Sequence, residues 1–123
     1  IAPRDRSATL TPTARKVAAG GADKVKFIQV TNLARTLGQM KDDFNVRVVG
    51  TMLDEKALPV QKFDFTGTGI CIVMGAEDTG FRPITQSQCD QTVYIPMAGN
   101  LQSLNVSVAT GMALYEACRQ RNV

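Results

Sequence analysis

Four short apolar runs, separated by helical patterns, constrain this chain more than any other feature. "VKFIQV" (Val25–Val30), "VRVVGT" (Val46–Thr51), "ICIVMG" (Ile70–Gly75) and "TVYIP" (Thr92–Pro96) read as strands. "ICIVMG" is continuously apolar, the pattern of a strand covered on both faces. Between the runs, "TPTARKVAAGG" from Thr11 predicts a helix that ends on Gly20 or Gly21, residues that tolerate a left-handed cap. "TNLARTLGQMKDDF" predicts another, with Thr31 or Asn32 as N-cap and Leu33, Leu37, Met40 and Phe44 at helical spacing. "TQSQC" predicts a short helix capped by Thr85, and Ser103 to about Gln120 the last one. This alternation predicts an α/β fold with a mostly parallel sheet flanked by helices. Asp54–Gly69, with Pro59 and two late glycines, reads as a connection over the surface. "IAPRDRS" reads as the end of a strand running into a loop, so a first βα unit is expected to be missing ahead of it.

Composition narrows the function classes. With 123 residues, 44% hydrophobic and 20% charged, residues 1–123 are expected to form one globular domain. No run approaches the roughly 18 apolar residues of a membrane span, and the first residues carry no signal-peptide pattern. The net charge of +3 permits a nucleic-acid partner without demanding one. Histidine is absent, which removes the commonest general base and metal ligand. Cys71, Cys89 and Cys118 show no CxxC spacing, so neither a zinc site nor a disulfide framework is expected, and a reducing cytoplasmic setting is.

The candidate sites lie where strands end. In open α/β sheets, ligands bind beyond the carboxyl ends of the strands. Thr51 follows "VVG", Gly75 opens "GAEDTG", and Pro96–Met97 open the loop to the last helix. "GAEDTG" is neither a Walker loop nor GxGxxG, and Glu77–Asp78 would repel a pyrophosphate; on spacing alone it is a tight turn. Asp42–Asp43 and Asp54–Glu55 read as solvated charges, as do Arg15–Lys16 and Arg119–Arg121, although basic residues near a cleft can meet phosphates. From Gln91 to Tyr115 no residue is charged. Val108, Met112 and Tyr115 in that stretch read as packing residues of the last helix.

"IVMGAEDTGFR" and "IPMAGNLQSLNVSVATGMALYEACRQR" resemble the second and third motifs of the SpoU/TrmH family, the 2′-O-ribose RNA methyltransferases of the SPOUT superfamily. "TNLARTL", "VVGT" and "FDFTG" fit the same pattern in order, so the resemblance covers almost the whole chain. It implies a trefoil knot at the C-terminal end, an exception to the rule that chains do not knot. It implies S-adenosylmethionine (SAM) as cofactor, with Gly75, Ile95 and Leu104 lining its site and Thr51 and Met97 beside it. It also implies a guanosine of 23S ribosomal RNA as substrate, and a homodimer formed in part through the charge-free surface. Uncharged polar groups suit a pocket of this kind, because a lone buried charge is costly.

The same resemblance assigns Glu77 and Asn105 to the catalytic centre as positioning groups. The family's first motif, NxGxxxR, is absent from this sequence. Two readings therefore stand: a SAM-dependent ribose 2′-O-methyltransferase, and a SPOUT-like module that binds SAM or RNA without methyl transfer.

Overall fold

The computed structural model describes residues 1–4, 9–75, 81–99 and 104–123. They form two compact units, Ile1–Thr36 and Leu37–Val123.

In the first unit, β1 (Ala2–Pro3) pairs in parallel with β2 (Gln29–Val30), Ala2 opposite Gln29. The strand seen in "VKFIQV" is thus only its last two residues, because β1 offers only two partners. "IAPRDRS" does begin as a strand. Helix α1 (Pro12–Val17) starts as its sequence dictates: the Thr11 hydroxyl accepts from the Ala14 amide at 3.1 Å, and Pro12 supplies a preset φ in the first turn. It stops earlier than the glycines suggested. Ala19 and Gly20 both adopt positive φ, 51° and 88°, and the chain restarts as α2 (Gly21–Lys24). Asn32 Oδ1 accepts from the Arg35 amide at 3.0 Å and caps α3 (Leu33–Phe44), one of the two caps expected.

In the second unit, β3 (Arg47–Thr51), β4 (Leu58–Pro59), β5 (Ile70–Met74) and β6 (Gln91–Tyr94) form a parallel sheet of order β4-β6-β3-β5. Val48, Val49 and Gly50 of central β3 are buried in succession. β5 differs from expectation: its apolar run lies at one edge of this sheet and only Val73 is fully buried.

The larger correction concerns Asp54–Gly69. Besides β4 and a 3₁₀ turn at Val60–Lys62, it supplies much of the core. Val60, Phe63 and Phe65 are buried with Val49 and Val93, and Ile70, Ile72, Ile95 and Ala117 pack against them. The Phe63 and Phe65 rings meet edge to face at 4.8 Å. Glycine and proline marked the segment as irregular, but its alternate apolar residues decide where it goes. Pro59 is accommodated because β4 is an edge strand.

Helix α4 (Pro83–Gln86) begins two residues before Thr85, which is buried inside the helix; Pro83 at the first helical position sets the start. Helix α5 (Val106–Arg121) is capped by Asn105 at one end and by left-handed Asn122 at the other. Among its residues only Ala113 is fully buried. Val108, Met112 and Tyr115 are not core residues: they stand exposed at 51%, 45% and 71%, a stripe at helical spacing that this single chain leaves open. The expected trefoil knot cannot be traced through the described residues, since residues 76–80 and 100–103 lie outside them.

Candidate functional site

Three neighbouring parallel strands deliver the candidate residues to one edge. Thr51 closes β3 and lies opposite Met74 of β5 and Val93 of β6, and the Met52 amide bonds the Val93 carbonyl at 3.0 Å. Gly75 is the residue after Met74, and Ile95 follows Tyr94. Thr51, Gly75 and Ile95 are therefore together at the carboxyl edge, where an open parallel sheet binds its ligands.

Each offers different chemistry. The Thr51 hydroxyl donates to the Val73 carbonyl at 3.0 Å, with Met74 Sδ 3.4 Å away. Its single proton is used within the sheet, so toward a ligand it keeps only acceptor capacity. The Ile95 side chain packs on the core, so its contribution to a site comes from its backbone. Met97 and Leu104 are half-buried, one in the loop after β6 and one just before α5. Asn105 has a structural duty: its Oδ1 accepts from the Ser107 amide at 2.8 Å as the N-cap of α5. The amide nitrogen is what its side chain has left to offer. Glu77 lies outside the described residues.

Gly50 belongs to this edge, and sequence reasoning passed over it. A Cβ there would come within 2.8 Å of Cys89 Sγ and 2.9 Å of the Phe81 ring. Its lack of a side chain lets Phe81, the first described residue after "GAEDTG", lie against β3. A glycine inside a strand is the available signal of such close approach. The opposite edge is tied by Asp90, whose carboxylate accepts from the Val48 amide at 2.8 Å and pairs with Lys41 at 3.1 Å.

Asp54 is also more than a solvated charge: its Oδ1 accepts from the Thr92 hydroxyl at 2.9 Å and from the Lys56 amide at 2.9 Å, tying the chain after β3 to β6. Asp42 and Asp43 are exposed, as are Arg15 and Lys16. Arg121, though exposed, donates to the carbonyls of Phe65 and Thr68. Burial pushes the Cys71 and Cys89 thiols up, which keeps them protonated and poor nucleophiles. Among the described residues no group of His, Cys, Asp and Glu is arranged to hold a metal.

The SpoU rRNA Methylase family matches residues 1–115. The chain belongs to that family. It is 84% identical over 98% of its length to 48% of the 23S rRNA (guanosine-2'-O-)-methyltransferase RlmB of Acinetobacter baylyi. It is 49% identical over 99% of its length to the RlmB of Escherichia coli, again covering 49% of that protein. The chain thus spans about half the length of these relatives. Among solved structures, the TrmH/SpoU tRNA modifying enzyme of A. aeolicus superposes with a TM-score of 0.82 at 32% identity, over 97% of this chain and 58% of that one. The SpoU methyltransferase AviRb of Streptomyces viridochromogenes, solved with AdoMet, gives 0.83 at 28% identity, over 99% of this chain and 49% of the other. The α/β fold with parallel strands and flanking helices is that of these SpoU enzymes.

Proposed function

We propose that residues 1–123 are a SPOUT catalytic domain of a SAM-dependent methyltransferase acting on a ribose 2′-hydroxyl, that of a guanosine in 23S ribosomal RNA. The observation that carries this is the 84% identity to an RlmB enzyme across nearly the whole chain. The carboxyl edge fits the cofactor's chemistry. In this reading backbone groups at Gly75 and Ile95 supply fixed polar groups, and half-buried Met97 and Leu104 supply apolar walls. From Gln91 to Tyr115 no cation competes with a sulfonium.

When bound, SAM would supply an electrophilic methyl group to the ribose oxygen, its sulfur keeping the electron pair of the broken bond and the hydroxyl proton passing to solvent. The chain's own part is positioning. Gly75, Ile95 and Leu104 hold the adenosine, with Thr51 and Met97 beside it. Asn105, through its amide nitrogen, and Glu77 orient the nucleophile. With no histidine in the sequence, these groups act by orientation and hydrogen bonding rather than as an imidazole base. The threading of the last segment as a trefoil knot belongs to this reading.

The exposed stripe Val108–Met112–Tyr115 is proposed as a homodimer face, since a helix apolar on most sides needs cover. Among the described residues no helix is long and apolar enough to cross a membrane; a cytoplasmic location goes with a ribosomal RNA substrate. The absence of NxGxxxR from the sequence keeps one rival, a module that binds SAM or RNA without methyl transfer. Incubation with labelled SAM and a 23S ribosomal RNA transcript separates them. Label in a ribose 2′-O-methyl guanosine supports the enzyme. Binding of both ligands with no transfer, under conditions where a full-length RlmB transfers, supports the rival.

A further inference from the structure

Positive charge is concentrated in one of the two units. Residues 1–36 carry seven Lys or Arg against two Asp, a net of +5, whereas residues 37–123 carry seven against nine Asp or Glu, a net of −2. The overall +3 therefore conceals a strongly basic first unit and a mildly acidic second one. Arg4, Arg15, Lys16, Lys24, Lys26 and Arg35 are all exposed. Asp23 lies 3.6 Å from Arg15, which brings α1 and α2 side by side. Lys16, Lys24 and Lys26 make no ion pair among the described residues.

Charge alone describes an ordinary solvated surface. What sets this one apart is an exposed aromatic next to the lysines in the chain. After Lys24 ends α2, the backbone at Val25 is extended (φ −104°, ψ 127°), and the next residues run Lys26, Phe27, Ile28 toward β2. Phe27 is 43% exposed and Ile28 49%. Cations interleaved with an open aromatic ring suit single-stranded nucleic acid: ammonium groups meet phosphates while the ring stacks on an unpaired base. A duplex keeps its bases stacked and gives the ring no partner.

We propose that Lys24–Phe27 is a contact for single-stranded RNA, Lys24 and Lys26 engaging phosphates and Phe27 stacking on one base. This rests on the RNA methyltransferase reading and assigns part of substrate capture to the first unit.

Fluorescence anisotropy of a labelled mixed-sequence single-stranded RNA, titrated with the 123-residue chain across a salt series, tests it. The double variant K24Q/K26Q is expected to flatten the slope of log K against log salt by about 1.4, two contacts at about 0.7 each. Phe27→Ala is expected to keep the slope and weaken binding on the order of tenfold. K56Q/K62Q, an equal charge change in the second unit, is expected to leave the slope as in wild type. An unchanged slope in K24Q/K26Q, or an equal flattening in K56Q/K62Q, overturns the contact while leaving the methyltransferase reading intact. A wild-type chain that binds S-adenosylhomocysteine but no single-stranded RNA also overturns the contact, while the methyltransferase reading is decided by the transfer assay.

Discussion

The Gln120 side chain pairs with the backbone around Phe65 as a neighbouring strand would: its Oε1 accepts from the Phe65 amide at 2.8 Å and its Nε2 donates to the Phe63 carbonyl at 2.9 Å. Glu116, one turn earlier on α5, accepts from the same Nε2 at 2.8 Å and fixes its orientation. The last turn of α5 thereby staples the segment that carries the two core phenylalanines. Gln120→Ala strands a part-buried amide and is expected to cost about 1–3 kcal/mol. Gln120→Glu keeps the acceptor but sets a carboxylate against the Phe63 carbonyl and the Glu116 carboxylate, so it should cost at least as much. Urea unfolding of the three proteins checks the order.

Acid should loosen the same staple. Arg119, followed by Gln120, holds the Glu116 carboxyl down from its ordinary 4.5 to about 2. A depressed carboxyl contributes stability that is complete above its unfolded value and is lost as pH falls from about 4.5 toward 2. Asp64, lowered by the Thr66 hydroxyl and amide, acts in the same direction. Thermal unfolding between pH 6 and pH 2.5 should show this loss, and Glu116→Gln should show less of it. Equal pH dependence in both proteins would remove Glu116 from the explanation.

Gly50→Ala should disturb the carboxyl edge from within. The new methyl meets Cys89 Sγ and the Phe81 ring below 3 Å, so something must move. Overpacking of this kind is expected to cost about 1–3 kcal/mol. Because Phe81 follows "GAEDTG", S-adenosylhomocysteine affinity should fall along with stability. Unchanged affinity would mean that Phe81 does not support the site.

Legibility in the sequence followed the strength of the local signal. Asn32 was readable as a cap because it is a short polar side chain before a helical pattern, and the strand ends carrying Thr51 and Gly75 followed from short apolar runs. What escaped depended on long-range partners. Phe63 and Phe65 sit in a segment whose glycines and proline read as loop, yet burial of two rings outweighs local irregularity. Val108, Met112 and Tyr115 have the spacing of a core stripe, and no pattern within one chain says that the stripe is left open. Asn105 was readable as a polar site residue; that its oxygen is committed to the Ser107 amide needed coordinates.

The cap role of Asn105 and its proposed role in orienting the nucleophile can be separated. Asp caps helices as well as Asn, so Asn105→Asp should keep α5 at near wild-type stability while removing the amide donor. Methyl transfer in single turnover should then fall at least tenfold. Asn105→Ala should lose about 1 kcal/mol of stability besides. Wild-type transfer by Asn105→Asp would leave the residue as a cap alone.

Binding of S-adenosylhomocysteine to the folded chain, measured by calorimetry with circular dichroism on the same sample, tests the carboxyl-edge site most directly. The wild-type chain is expected to bind, and Leu104→Asp to lose binding while retaining its fold, because a carboxylate at that half-buried position is costly against an adenosine wall. No heat from the folded wild-type chain at millimolar ligand, or undiminished binding by Leu104→Asp, would contradict the assignment.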